Sequence, residues 1–158
     1  MAFRFVKIRG ANTATPTIVS VYASGVIFRG SVVEFSRANN RVEPATANTT
    51  TTNILGIALD YVQGASNTMT RVIPFVPGQL WEADMTNTLA TNQIFVKHAL
   101  TNSATVANTS TDVNTAKGVF ILYSLTVNTG AVTVTQTGVG EFIRGPVGWG
   151  GTDTAGYF

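Results

Sequence analysis

The sequence predicts an all-β fold: a single-domain β-barrel or β-sandwich with extended N- and C-terminal arms. Three observations carry this. First, 25 Thr and 19 Val among 158 residues favour the pleated strand, where β-branched side chains pack well. Second, 12 Asn and 15 Gly supply residues that tolerate tight turns. Third, the apolar residues fall in about nine or ten short runs divided by turn signals, with no useful 3.6-residue stripe. The length suits one core. The expected division is an arm over 1–16, a β-domain over 17–145 and a Gly-rich tail over 146–158.

Residues 1–9 alternate imperfectly, with Phe3 and Phe5 on one side and Arg4, Val6 and Ile8 on the other. The run reads as an arm or an edge strand, followed by a joint through Pro16. Strands are expected at 17–22 and 26–29, split by Ser24-Gly25, and at 31–36, with Val33 and Phe35 sharing a face. Asn39-Asn40 is a tight turn, because Asn accepts positive φ. Val42-Glu43 returns from it, and Pro44 ends that strand. The Thr-rich stretch 45–53 reads as a loop or an exposed edge.

A strong strand is expected at 54–62, with Leu55, Ile57, Leu59 and Tyr61 on one face and Gly56 and Ala58 admitting a close neighbour on the other. Residues 70–76 contain Pro74, which has no ladder donor, so this strand is placed at an edge or a bulge. Pro77-Gly78 signals a type II turn. Along 79–85, Gln79, Trp81 and Ala83 oppose Leu80, Glu82 and Asp84, and 82–92 has room for a short helix at best. A short strand follows at 94–98. Residues 101–116 read as a long surface loop, with a weak strand at 104–107. Residues 117–127 read as the best core strand, with Val119, Ile121, Tyr123, Leu125 and Val127 in phase. Asn128-Thr129-Gly130 then forms a hairpin loop into the alternating run 131–137.

Composition excludes several classes. There is no cysteine, hence no disulfide framework and no thiolate zinc site. The one histidine, His98, cannot supply a multi-imidazole site within one subunit. No apolar run approaches the ~20 residues of a membrane helix, and the N-terminus lacks the apolar segment of a signal peptide. No membrane or specific nucleic-acid partner and no cofactor is expected.

Candidate chemistry is sparse. His98 would need an orienting acid and a nucleophile to act as a base, and none lies nearby in sequence. Glu82 and Asp84 share a strand face, as paired carboxylates do in glycosidases and cation sites, but alternating polar residues on a half-exposed strand look the same. Asp112-Val113-Asn114 lacks the Gly and Glu of a calcium loop. Gly138-Val139-Gly140 lacks the third glycine spacing and the βαβ setting of a dinucleotide site. No enzymatic activity is expected.

The ends point to binding. Only 11% of residues are charged, against ~25% in a typical soluble domain, which suits a surface covered by other chains. Residues 1–33 hold Arg4, Lys7, Arg9 and Arg29 and no acid. Phe3, Arg4, Phe5, Lys7 and Arg9 suit strand addition on another protein. Trp149, Tyr157 and Phe158 in the tail suit anchoring, since aromatics dominate interface energetics.

Residues 18–85 carry a further pattern: GSVVEFSRANNRVEPAT, a Thr-rich gap, then ILGIALDYVQGASNTMTRVIPFVPGQLWEA. This order of strands and turns resembles the small decoration (cement) proteins that bind the heads of tailed bacteriophages. The resemblance implies a barrel or tulip-like domain, commonly a homotrimer, with no catalytic site and no cofactor. It places Gly56, Pro77 and Gly78 in structural roles and Leu55, Ile57 and Leu59 in the core. The implied function is to bind the outer surface of the capsid in the virion and stabilise it by bridging major capsid protein subunits. Deleting residues 2–9 is then expected to weaken shell binding and leave the domain folded. The alternative is a tail or fibre domain binding carbohydrate, with Trp81, Trp149 and Tyr157 as stacking platforms.

Overall fold

The computed structural model describes residues 3–8, 16–63, 68–86, 94–106, 117–126 and 137–143. These residues are all-β. Fourteen strands run in order: β1 (Phe3–Ile8), β2 (Val19–Tyr22), β3 (Val26–Ile27), β4 (Val32–Ser36), β5 (Arg41–Pro44), β6 (Ile54–Ala58), β7 (Val62–Gln63), β8 (Met69–Pro74), β9 (Gln79–Asp84), β10 (Lys97–His98), β11 (Leu100–Asn102), β12 (Thr105–Val106), β13 (Phe120–Thr126) and β14 (Thr137–Phe142). Two five-stranded sheets dominate, with orders β1-β9-β14-β13-β10 and β2-β8-β6-β4-β5, beside the ribbons β3-β7 and β11-β12.

The two large sheets pack as a sandwich. Phe3, Trp81, Ala83, Phe120, Leu122 and Phe142 of the first meet Val32, Ile54, Ile57 and Ile73 of the second in one buried cluster. Phe142 is its hub. It stacks on Phe75 at 3.9 Å between centroids and meets Phe120 at 4.9 Å and Phe3 at 5.3 Å edge-on. Such pairs each add ~0.5–1.5 kcal/mol beyond the area they bury.

Neither sheet closes into a barrel. The second does curl: beyond β2, Ala23 forms a single parallel bridge to Val42 of β5. Inside this curl lies a second cluster of Ala23, Ile27, Val33, Val42, Ala58, Val62 and Val72. The second sheet is therefore apolar on both faces.

Turn chemistry follows the sequence. Asn40 has φ 51° and Gly78 φ 87°, the positive values expected of the Asn-Asn turn and of a type II turn. Along β9 the even and odd positions separate as expected, with Gln79, Trp81 and Ala83 buried.

Several expectations are corrected. Residues 54–62 are not one strand: β6 ends at Ala58, and Val62–Gln63 pairs with β3 instead. A bulge opposite Val33 and Glu34 shifts the register, so Leu55 packs on the second cluster while Ile57 enters the first. Strand β8 is central rather than at an edge, lying between β2 and β6. Pro74 is tolerated because β2 pairs only as far as Val72, so no donor is required of Pro74 on that side. Val119 is buried as expected, but from Phe120 on the core phase of β13 is inverted. Phe120 and Leu122 are fully buried, while Ile121 and Tyr123 are half-buried on the opposite face. The weak strand expected at 104–107 is β12, Thr105–Val106; within 101–106 the surface-loop reading is corrected, since β11 precedes it and Val106 is fully buried, and 107–116 lie outside the described residues. Of 94–98, only Lys97–His98 is strand. The 128–130 hairpin and the run 131–136 lie outside the described residues.

Candidate interaction surface

Strand β1 is the edge of the first sheet, paired on one side with β9. Residues 3–8 are thus an edge strand and not a free arm. Phe3 is 2% exposed, so its ring belongs to the core and not to a partner. Arg4 lies opposite Glu82 in the ladder and donates to its carboxylate at 2.7 Å. Phe5 is half-buried against Trp81, with centroids 5.3 Å apart. A register shift between Phe5 and Lys7 leaves Val6 and Lys7 exposed. Deleting residues 2–9 would therefore remove a strand and a core aromatic, against the expectation of an unaffected fold. Arg9, Trp149, Tyr157 and Phe158 lie outside the described residues, as does Asp112-Val113-Asn114.

The chemical candidates are built into the scaffold. His98 is fully buried in β10, opposite Phe120. Burial pushes the Asp84 carboxyl up, and the nearby Glu82 charge adds to this. No group of three metal-ligating side chains occurs among the described residues. Trp81 is 1% exposed and cannot serve as a sugar platform. Gly138 and Gly140 sit where β14 and β13 press together: a side chain at Gly140 would meet the Phe120 ring at 2.6 Å. Their glycines serve packing, since a real Cβ finds no room there.

What sequence reading missed is a surface on the flank beside β1. Phe28 and Tyr61 are 60% and 57% exposed, yet their rings lie 5.5 Å apart. Phe28 follows β3 and Tyr61 precedes β7, so the pairing of these two short strands brings the rings together. Between Phe28 and β4, Gly30 donates its N–H to the Ala58 carbonyl at 2.8 Å, which fixes the turn carrying Arg29. Next to Tyr61, the Asp60 carboxylate accepts from the Arg71 guanidinium at 2.7 Å and from the Arg71 backbone N–H at 3.0 Å. These bonds hold the Asp60 carboxyl at about 2, below its ordinary 3.8.

Compared with known proteins, the chain matches no family model and no curated protein. The surface is therefore read on its own chemistry.

A cavity of about 240 Å³ opens between this flank and β1. Phe5 and Trp81 of the first sheet, Ile57 and Ile73 of the second and Leu59 just beyond β6 form its walls, and Arg4 and Arg29 also line it. Just before β10, at the other end of the first sheet's strand order, Phe95 is 75% exposed with φ 64°, a conformation bulky residues seldom adopt. Its ring lies 6.0 Å from Tyr123.

Proposed function

We propose that this chain is a structural virion protein that binds the outer surface of a tailed-phage capsid and bridges major capsid subunits, as a homo-oligomer. The observation that carries the binding role is the exposed Phe28–Tyr61 pair beside Arg29 and the Asp60–Arg71 ion pair. Exposed aromatics held in place by a rigid scaffold make effective anchors, and charged neighbours set orientation. The resemblance over residues 18–85 points this binding towards a phage shell. The outer edge of β1, which no other described strand pairs, with Val6 and Lys7 exposed, offers a second contact. Many copies bridging several subunits multiply modest contacts through effective concentration, and binding that favours the assembled shell stabilises it by mass action.

The experiment is to sediment intact particles from the source and quantify this chain by mass spectrometry against the major shell protein. A copy number comparable to the shell subunit is expected, reduced by Phe28→Ala with Tyr61→Ala and not by Phe95→Ala. A few copies per particle would instead indicate a tail or fibre component, and absence from particles would overturn the reading.

A further inference from the structure

The cavity beside β1 has a composition that the docking surface does not need. Its walls are aromatic and aliphatic, and at about 240 Å³ it exceeds the ~150 Å³ that admits a benzene ring. A single ring, or a branched alkyl group, with a few further atoms therefore fits. Three features break the apolar lining. Arg4 also lines the cavity, but its guanidinium is held by Glu82 at 2.7 Å. Arg29 is exposed, and its charge reaches Asp60, but the Asp60 carboxylate accepts its hydrogen bonds from Arg71. The Arg29 guanidinium thus keeps its donors for another acceptor. Trp81, in the wall, carries a buried indole N–H with no hydrogen-bond partner among the described residues.

We infer that this cavity binds an apolar group that bears a carboxylate, with the apolar part against the half-buried Phe5 and Leu59 and the carboxylate on Arg29. Charge complementarity selects the anion, since a guanidinium meets a carboxylate through two parallel hydrogen bonds. The apolar walls select a ring or branched chain over a small hydrophilic acid. The source is either a free organic acid or the carboxylate end of a peptide. The inference stands apart from the virion reading, because it concerns the isolated protein.

The test uses the full chain labelled with ¹⁵N, its two tryptophans assigned by Trp149→Phe. The Trp81 indole signal is followed while 3-phenylpropionate, its neutral amide, a peptide ending in Phe and the same peptide amidated are added separately. A saturable shift is expected for at least one acid, with affinity at least tenfold weaker for its amide and in Arg29→Gln. Leu59→Phe, which narrows the cavity, should abolish the shift while the thermal midpoint stays near that of wild type. Tighter binding of the peptide would identify a chain end as the ligand, and tighter binding of 3-phenylpropionate a free acid. No saturable shift with either acid, or equal affinity for acid and amide, would overturn the proposal. Neither result depends on particle association, so the two readings fail separately.

Discussion

Replacing Gly56 with Ala tests how tightly the second sheet is assembled. Gly56 is in the middle of β6, opposite Val33 of β4 and Pro74 of β8. An added Cβ would lie 2.8 Å from the Ile73 carbonyl carbon and 2.8 Å from Val72 Cγ1, and closer still to the Ile73 oxygen. Real Cβ atoms do not approach within 3.0 Å, and two of these three atoms are backbone, which cannot rotate aside. The strands must therefore part by roughly 1 Å against a normal spacing of about 4.8 Å. Overpacking of this kind costs ~1–3 kcal/mol, and stretching one or two ladder bonds adds ~1 kcal/mol each. The stiffer unfolded chain of the alanine variant returns ~0.4–1 kcal/mol. A net loss of about 2–3 kcal/mol is expected, read as a urea midpoint lowered by roughly 1–1.5 M at an unchanged slope. Gly25→Ala is the comparison. There the nearest atom is 3.6 Å away but φ is +77°, so only the left-handed conformation is penalised, by about 1–2 kcal/mol. A Gly56→Ala variant within 0.5 kcal/mol of wild type, on the resolution such curves allow, would refute the close-approach reasoning.

Three further outcomes are expected. Glu141 is 8% exposed and accepts from the Gly78 N–H at 2.6 Å and the Tyr123 hydroxyl at 3.1 Å, so Glu141→Ala should lower stability by roughly 2–4 kcal/mol and Glu141→Gln by about 1, in the same urea assay. The Asp84 carboxyl is raised from its ordinary 3.8, so the folded state holds its proton more tightly than the unfolded chain and stability falls as pH rises above 3.8. Asp84→Asn should accordingly melt above wild type at pH 7, with the gap closing as pH drops towards 3.8. Asp60 shifts the opposite way, to about 2: its contribution is present above 3.8 and is lost as pH falls through 2, and Arg71→Gln should return its NMR titration midpoint towards 3.8.

Elements governed by local rules were legible in the sequence. The Asn39-Asn40 turn, the Pro77-Gly78 turn and the two faces of β9 each depend on one or two residues with strong preferences. The phase of β13 was not legible, because VFILYSL is apolar at both alternations. What decides it is tertiary: Phe120 meets the edge of Phe142, while Tyr123 turns outward to Glu141. Strand β6 was misread for another reason, since a one-residue bulge reverses every later side chain and leaves no composition signal. Pro74 misled because a proline is excluded from a central strand only where a neighbour needs its N–H. The contact candidates suffered from the same locality. Phe3 and Phe5 looked like anchors beside basic residues, yet their ladder partners lie on β9, some 75 to 80 residues away. Phe28 and Tyr61 became neighbours only through the β3-β7 ribbon.

The strand order of the first sheet also bears on when the molecule can exist at all. Strand β1 is synthesised first, pairs with β9, and β9 waits in turn for β14, which is itself paired with β13. At ~5–20 residues per second, Phe3 leaves the ribosome on the order of 10 s before Phe142, the residue at the centre of its aromatic cluster. Through that interval the apolar side of β1 has no complete sheet to join, and contacts so distant in sequence form slowly even once all are present. Early hydrophobic segments without partners invite chaperones or aggregation. The cavity, framed by β1 and β9, also needs both sheets, so it is complete only in a finished chain.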